Sequence, residues 1–299
     1  MDGPGLELPE GHKTWFALSL AVSLVLFAFF VWSIVLYFLR LRYTWKTRRL
    51  AAVFLGATIP PTIFSMLMLL AGPLMEKVPG AAAPLVRFAM VVGMLIGFGI
   101  VLVQGLTYTA AGAYLSARAG QPHFPLLRNL ARAGRRGFAG EWRFPWAAAI
   151  LVSVGVIGYS AILLWATQPQ LSPLLKQTIK SLEGLFLAGH SKTVVAIAAS
   201  LIAVKEEIVF RLFLQTQFAW WLRGKRRPDL WAILLVSVLW TLAHAISLDP
   251  AWVKFAQILP IGIALGLLRR RWGIETCIFV HVALNLAAVF LLGELVTLQ

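Results

Sequence analysis

Apolar segments long enough to cross a membrane alternate with short polar or basic stretches along this chain. A helix needs about 20 mostly apolar residues to cross the hydrocarbon core of a bilayer, because each residue adds ~1.5 Å to its length. Of the 299 residues, 60% are hydrophobic and 13% are charged, a composition unlike that of soluble proteins. The sequence therefore predicts an all-α, polytopic membrane protein.

Eight membrane-spanning helices can be delimited from the apolar pattern. They are Thr14–Leu39, Leu50–Gly72, Leu85–Leu115, Pro145–Ala166, Lys192–Leu222, Leu230–Ser247, Val253–Leu268 and Ile274–Thr297. The second contains Pro60 and Pro61, which predict a kink because proline removes a helical hydrogen bond.

Basic residues lie in short clusters between the predicted spans, and together they give a net charge of +15. The clusters are Arg40–Arg49, Arg118–Arg143, Arg223–Arg227 and Arg269–Arg271. Eight spans place all four on one side of the membrane, which the positive-inside rule identifies as cytoplasmic, with both termini on the other side. We expect these loops to contact anionic lipid rather than nucleic acid. The absence of a eukaryotic targeting signal favours a bacterial inner membrane.

The fifth predicted span carries three charged side chains near its middle, Glu206, Glu207 and Arg211. A charge at the centre of a bilayer costs at least ~2.5 kcal/mol on insertion scales, so such residues usually serve a function. Glu207 and Arg211 are four residues apart, which predicts an ion pair on one helix face. Glu206 points ~100° away and is left without a partner in its own helix.

Two later spans carry further polar residues at helical spacing. Trp240 and His244 share one face of the sixth span, and His281 and Asn285 share one face of the eighth. Measured from the basic ends of the spans, His244 lies roughly 21 Å deep, close to the roughly 24 Å of Glu206. Asn285 lies roughly 17 Å deep and His281 only roughly 10 Å, which makes His281 the outlier.

These residues favour hydrolysis by an activated water molecule. Glutamate can act as general base with histidine, while a His-Asn pair can donate hydrogen bonds to an oxyanion. The residue types also allow a zinc site of Glu206, His244 and His281. The chain has no H-E-x-x-H, no G-x-S-x-G and no aspartate pair within its spans, which argues against three other classes of membrane protease. Its single cysteine, Cys277, cannot form an intrachain disulfide.

Three motifs in this chain resemble, in their order and placement, those of the CAAX protease and bacteriocin-processing family. They are E-E-x-x-x-R (Glu206–Arg211), W-x-x-x-H (Trp240–His244) and H-x-x-x-N (His281–Asn285). The resemblance implies a type II CAAX prenyl endopeptidase-like intramembrane protease with a cavity within the last four of its eight helices. One departure is visible, because the second motif of that family usually begins with phenylalanine.

The resemblance also implies a role for each site residue. Glu206 would activate water with His244, His281 and Asn285 would form the oxyanion hole, and Glu207, Arg211 and Trp240 would support the site. Residues 192–299 would form the catalytic core, and residues 1–191 would select the substrate. We expect that substrate to be a membrane-anchored or lipidated protein cut near its C-terminus, at a CAAX-type or a bacterial sorting or maturation signal.

Two alternatives stay open at this point. A zinc-dependent form of the same protease would use the same residues, although the metal-free mechanism is favoured. A non-catalytic membrane protein would instead act as a scaffold, an immunity protein or a transporter. Transporters often contain an internal repeat with interrupted helices, and no such repeat is visible in this sequence.

Overall fold

The computed structural model of the protein describes residues 10–38, 83–121, 124–125, 145–172 and 192–292. Its helices are α1 (Glu10–Leu36), α2 (Ala83–Arg118), α3 (Trp146–Thr167), α4 (Lys192–Glu206), α5 (Gln215–Trp221), α6 (Pro228–His244), α7 (Ala251–Trp272) and α8 (Ile274–Ala287). π-Helical segments follow α4 (Glu207–Leu214) and α8 (Ala288–Leu292), and a 3₁₀ turn (Ala245–Ser247) follows α6. Strands β1 (Gln170–Leu171) and β2 (Leu248–Asp249) are each two residues long.

Several of these helices can cross a membrane. Within the described residues, four segments have sufficient length and apolar character: Ala17–Leu36, Trp146–Thr167, Ala251–Trp272 and Ile274–Leu291. They correspond to the first, fourth, seventh and eighth predicted spans, and the chain is a multi-pass membrane protein. The sixth predicted span corresponds to the apolar but shorter helix α6. The count of eight stays a prediction, because the second predicted span lies outside the described residues.

Large apolar side chains cover the outside of the helices. Leu24, Leu151, Ile162 and Trp165 are all more than 60% exposed. Apolar surface of this extent would favour aggregation in water, whereas in a bilayer it is in contact with lipid. The outward-facing surfaces of α1 and α3 therefore agree with a membrane location.

The fifth predicted span is one continuous helical segment with a wider π-helical centre. The centre comprises the eight residues Glu207–Leu214, seven of which are buried. π-Helical segments are rare and often occur at functional sites. The sequence pattern predicts a helix here but not this change of helical type, which determines where the charged side chains point.

Helix α2 packs against this π-helical segment at a glycine. A β-carbon at Gly112 would lie 2.7 Å from the backbone oxygen of Leu212. Neighbouring Ala111 and Ala113 are almost fully buried. The small side chains allow the two backbones to approach closely, as is common between membrane helices.

Helices α6 and α7 pack closely through two further glycines. A β-carbon at Gly262 would lie 3.0 Å from the β-carbon of Ser237, and one at Gly266 would lie 2.7 Å from Cγ2 of Ile233. Small residues one helical turn apart are typical of close packing between membrane helices. This contact holds α6, which carries Trp240 and His244, against α7.

The basic ends of α6 and α7 are joined by polar contacts. Arg270 forms a 3.4 Å ion pair with Asp229 of α6. The buried Arg269 donates a 2.6 Å hydrogen bond to Ser116 of α2 and a 3.3 Å one to Thr216 of α5. These contacts bring the basic ends of four helices together.

At the opposite end, the two short strands tie α3 to the connection between α6 and α7. Leu171 pairs with Leu248, and Gln170 pairs with Asp249. Leu248 is buried and packs with Leu164 and Val253. The connection that follows His244 is thereby held against the end of α3.

Helix α8 begins at a buried residue, directly after the exposed arginines at the end of α7. Its first residue, Ile274, is fully buried. The preceding Gly273 has a φ of 95°, and a β-carbon there would lie 2.6 Å from Pro125. Glycine therefore allows the tight turn between α7 and α8.

Candidate active site

Glu207 and Arg211 form a buried ion pair within the π-helical segment. Glu207 Oε2 lies 3.6 Å from Arg211 Nε, and the two side chains are 1% and 0% exposed. The guanidinium carbon of Arg211 also lies 4.9 Å from the centre of the Trp240 ring, a cation–π distance. Spacing along the helix predicts this pair, and its burial means that neither charge is balanced by solvent.

Glu206 is more accessible than its neighbour and receives a hydrogen bond from a different helix. Its side chain is 20% exposed. Trp240 on α6 donates its indole N–H to Oε2 of Glu206 over 2.7 Å. Trp240 is itself 1% exposed, so the donor is held rigidly in the core. The carboxylate therefore has a defined orientation with one oxygen, Oε1, directed elsewhere.

His244 faces that second oxygen of Glu206. Its Nε2 lies 3.6 Å from Glu206 Oε1, and its Nδ1 lies 2.8 Å from the backbone oxygen of Trp240. A carbonyl oxygen can only accept, so Nδ1 carries the proton in this contact. In the neutral ring, Nε2 is then a hydrogen-bond acceptor that faces another acceptor, Oε1.

His281 joins the two glutamates. Its Nδ1 lies 2.8 Å from Oε1 of Glu207, and its Nε2 lies 3.9 Å from Oε2 of Glu206. The outlying depth calculated for His281 from the sequence does not keep it from the site, since its ring contacts both glutamates. Glu207 is therefore shared between Arg211 and His281, a link that the spacing of the motifs does not reveal.

Asn285 lies one helical turn beyond His281 but makes a different contact. Its side-chain nitrogen donates a 3.0 Å hydrogen bond to the backbone oxygen of Ala199 on α4. In the described residues, no hydrogen bond joins Asn285 to Glu206, His244 or His281. Of the predicted site residues, the structure brings six together and places Asn285 beside them on α8.

The zinc alternative depends on how Glu206, His244 and His281 are arranged. Glutamate and two histidines are suitable zinc ligands, and both Nδ1 atoms have acceptors, as is usual for metal-bound histidine. However, the two Nε2 atoms face different oxygens of Glu206, at 3.6 and 3.9 Å. Among the described residues, no group of three such side chains is arranged to hold a metal ion. The zinc alternative stays a prediction.

Cys277, which lies four residues before His281, is not accessible to a substrate. It is fully buried, and its thiol donates a 3.1 Å hydrogen bond to the backbone oxygen of Leu265. This contact joins α8 to α7. Cys277 therefore packs helices together and does not face the glutamates.

Sequence analysis missed Lys254, which lies near Glu206. This residue is in the second turn of α7 and interacts electrostatically with Glu206. Its ammonium group donates a 3.0 Å hydrogen bond to Gln257. The sequence does contain a signal for this residue. Lys254 lies roughly 22 Å along α7 from Arg269, which is close to the depth calculated for Glu206 from the basic end of its own span.

Comparisons with known proteins agree with the motifs. Residues 189–287 match the family described as Type II CAAX prenyl endopeptidase Rce1-like. The chain is 28% identical over 142 residues to the sporulation-killing factor biosynthesis protein SkfC of Bacillus subtilis, a match that covers 46% of this chain and 27% of that protein. The chain thus spans about a quarter of the length of this relative. No solved structure matches. The family resemblance drawn from the three motifs is confirmed.

Proposed function

Starting from the match of residues 189–287 to the Rce1-like type II CAAX prenyl endopeptidases, we propose that this protein is a glutamate-type intramembrane endopeptidase. The observation that carries the proposal is the pair of acceptors formed by Glu206 Oε1 and His244 Nε2, 3.6 Å apart. A water molecule beside this pair can donate one O–H to each atom. Such a water molecule is oriented and made more nucleophilic.

In the proposed reaction, Glu206 takes a proton from this water while the oxygen of the water bonds to the carbonyl carbon of the scissile peptide bond. The C–N bond then breaks, and Glu206 returns the proton to the leaving nitrogen. His244 orients the water through Nε2, because its Nδ1 is engaged by Trp240. Trp240 keeps Oε2 of Glu206 occupied, so Oε1 is the oxygen that takes part.

The developing oxyanion needs hydrogen-bond donors. His281 donates from Nδ1 to Glu207, so its Nε2 can donate only when the ring carries both protons. Asn285 uses one amide N–H on Ala199 and has a second for the oxyanion. These two residues are the proposed oxyanion hole, with Arg211 supporting it through Glu207.

We assign the substrate to membrane-anchored or lipidated proteins, cut near the C-terminus. The family match supports a protein substrate. The site lies on α4, α6 and α8, within the last four predicted spans, which suits a substrate that is held in the membrane. The remainder of the assignment follows the resemblance, including the selection of substrate by residues 1–191 and a bacterial inner membrane as the location.

Anionic lipid is a proposed partner at the basic side of the protein. A groove of about 600 Å³ near the end of α7 is lined by Arg270, Arg271, Trp272 and apolar side chains. A second groove, of about 630 Å³ at the start of α6, is lined by Arg226, Arg227 and apolar side chains that include Trp231. Arginine beside apolar surface suits a phosphate headgroup and its acyl chains.

The proposed activity is tested by mapping protein termini across the membrane proteome of the native host. Strains would carry the wild type, Glu206→Gln, or Asp229→Asn as a matched control. Asp229 forms its ion pair at the basic end of the bundle, away from Glu206, and is 30% exposed. We expect the same new termini in the wild type and the control, and their loss in Glu206→Gln.

Two results would contradict this proposal. Termini that persist in a Glu206→Gln strain would exclude the glutamate mechanism. If no terminus differs between strains although the variant accumulates normally in the membrane, a non-catalytic scaffold, immunity or transport role would replace the protease.

A further inference from the structure

Lys254 is a cation inside a membrane-spanning segment, and its described polar partner is neutral. It lies in the span Ala251–Trp272 and donates a 3.0 Å hydrogen bond to the side-chain oxygen of Gln257. Gln257 is 7% exposed. In the part of the chain that the structure describes, no carboxylate forms an ion pair with Lys254. Charged side chains within membrane spans usually have partners, so this cation is a candidate for ligand binding.

Lys254 lies at the level of the proposed catalytic residues. Measured along its helix from Arg269, it is roughly 22 Å from the basic end of the bundle. His244 is roughly 24 Å from Pro228 at the same end, by the same calculation. Lys254 also interacts electrostatically with Glu206. Depth along the helix and attraction to Glu206 thus agree in placing the ammonium group at the same level of the bundle as the site.

The charges nearby leave Lys254 free to bind an anion. Glu207 is already engaged by Arg211 and by His281. Glu206 has Trp240 on one oxygen and faces His244 with the other. If Lys254 served only as a counter-charge to Glu206, that role would explain why its side chain is positively charged. However, it would not explain why the ammonium group is directed to a neutral amide rather than to that carboxylate.

We propose that Lys254 binds the C-terminal carboxylate of the substrate, on the leaving-group side of the scissile bond. This inference rests on the proposed endopeptidase function. An extended chain covers at most ~3.6 Å per residue, so a terminus one to three residues beyond the scissile bond stays within about 11 Å of it. Lys254 then selects bonds close to a chain terminus by the charge of that terminus.

The test uses purified full-length protein in proteoliposomes and a pooled library of synthetic hexapeptides that carry an N-terminal lipid anchor. Every peptide is made twice, with a free C-terminal carboxylate and with a C-terminal carboxamide, and cleavage is followed by mass spectrometry. The wild type should cleave the acid forms roughly 10-fold or more faster, as loss of a charged hydrogen bond predicts. Lys254→Gln should reduce this preference to about one.

Lys205→Gln is the matched control. Lys205 also interacts electrostatically with Glu206, but it lies on α4 and its side chain is exposed. If Lys254 acts only as a counter-charge, each of the two variants changes the cleavage rates of acid and amide peptides by the same factor. That result would overturn the proposal. If Lys254 binds the terminus, Lys205→Gln keeps the preference for the acid peptides.

A further variant guards against a folding defect. Lys254→Arg keeps the positive charge and should keep at least part of the preference, whereas a purely structural role would give similar losses in Lys254→Arg and Lys254→Gln. Carboxamide peptides that end in Asp form an additional arm. If these are cleaved as fast as free acids, side-chain carboxylates are bound equally and the assignment to the terminus is wrong.

Failure of this inference can be distinguished from failure of the proposed function. Cleavage that is abolished by Glu206→Gln but shows no preference for the acid forms contradicts only the role of Lys254. Absence of cleavage by the wild type in both peptide forms contradicts the endopeptidase function, and the role of Lys254 falls with it.

Discussion

The indole N–H of Trp240 donates a 2.7 Å hydrogen bond to Oε2 of Glu206, so the aromatic residue of the second motif directly orients the proposed base. The resemblance predicts phenylalanine at this position, and phenylalanine has no such donor. The same ring lies over the guanidinium of Arg211. Trp240 therefore contacts both the reactive carboxylate and the buried ion pair beside it.

Replacing Trp240 by phenylalanine tests this contact. A hydrogen bond to a charged group contributes about 1.5–3 kcal/mol. We therefore expect Trp240→Phe to lower kcat/KM by roughly 10- to 100-fold. The control is Trp165→Phe on α3, because Trp165 is 70% exposed on the outer surface. Equal activity of Trp240→Phe and the wild type would show that the hydrogen bond does not contribute to catalysis.

The buried pair of Glu207 and Arg211 predicts a stability effect that differs between single and double variants. Removing one partner of a buried ion pair costs about 3–5 kcal/mol, because the other charge is left uncompensated. Arg211→Met should therefore lower the free energy of unfolding by this amount, measured by denaturation in detergent.

The double variant Glu207→Gln/Arg211→Met should recover much of that loss, since no unpaired charge remains. It should nevertheless stay inactive, because His281 then lacks the carboxylate that it contacts at 2.8 Å. A double variant as unstable as Arg211→Met would show that the ion pair is not the source of the effect.

Most of the fold and several contacts of the site could be predicted from the sequence, for a physical reason. Apolar length and basic clusters report directly on membrane helices, and the i,i+4 spacing of Glu207 and Arg211 brings them together in either helical type. Contacts between helices are different, because they depend on where each helix begins. His281 illustrates this point, since its calculated depth separates it from Glu206, whereas the packing of α8 brings its Nε2 within 3.9 Å of that carboxylate.

The remaining differences come from side-chain geometry that a motif does not contain. The motif H-x-x-x-N places Asn285 on the face of His281, yet its amide donates to the backbone of α4. The carboxylate that accepts from Trp240 lies directly before the π-helical turn, and no residue pattern in that stretch predicts the turn. Lys254 lies far along the chain from the three motifs.

The zinc alternative predicts a different response to chelators from that of the glutamate mechanism. We expect cleavage by the purified protein to be unchanged after prolonged treatment with a strong chelator and removal of the chelator by dialysis. Elemental analysis of the wild type and of His244→Ala should give equal, substoichiometric zinc. Activity that is lost on chelation and restored by added zinc would replace the metal-free mechanism.

The contact of α2 with the π-helical segment provides a way to disturb the site from a distance. A methyl group at Gly112 would lie 2.7 Å from the backbone oxygen of Leu212, between Glu207 and the end of that segment. Overpacking of this kind costs about 1–3 kcal/mol. We expect Gly112→Ala to lower the thermal midpoint in detergent and to reduce kcat, because the displaced segment carries Glu207 and Arg211.

Gly158→Ala is the matched control for this variant, because a β-carbon at Gly158 of α3 would have no neighbour within 4 Å. It should therefore leave both stability and activity near those of the wild type. If Gly112→Ala reduces stability while kcat stays unchanged, the position of the π-helical segment does not control the reactive groups. Such a result would indicate that α6 and α8 alone hold Glu206 in place.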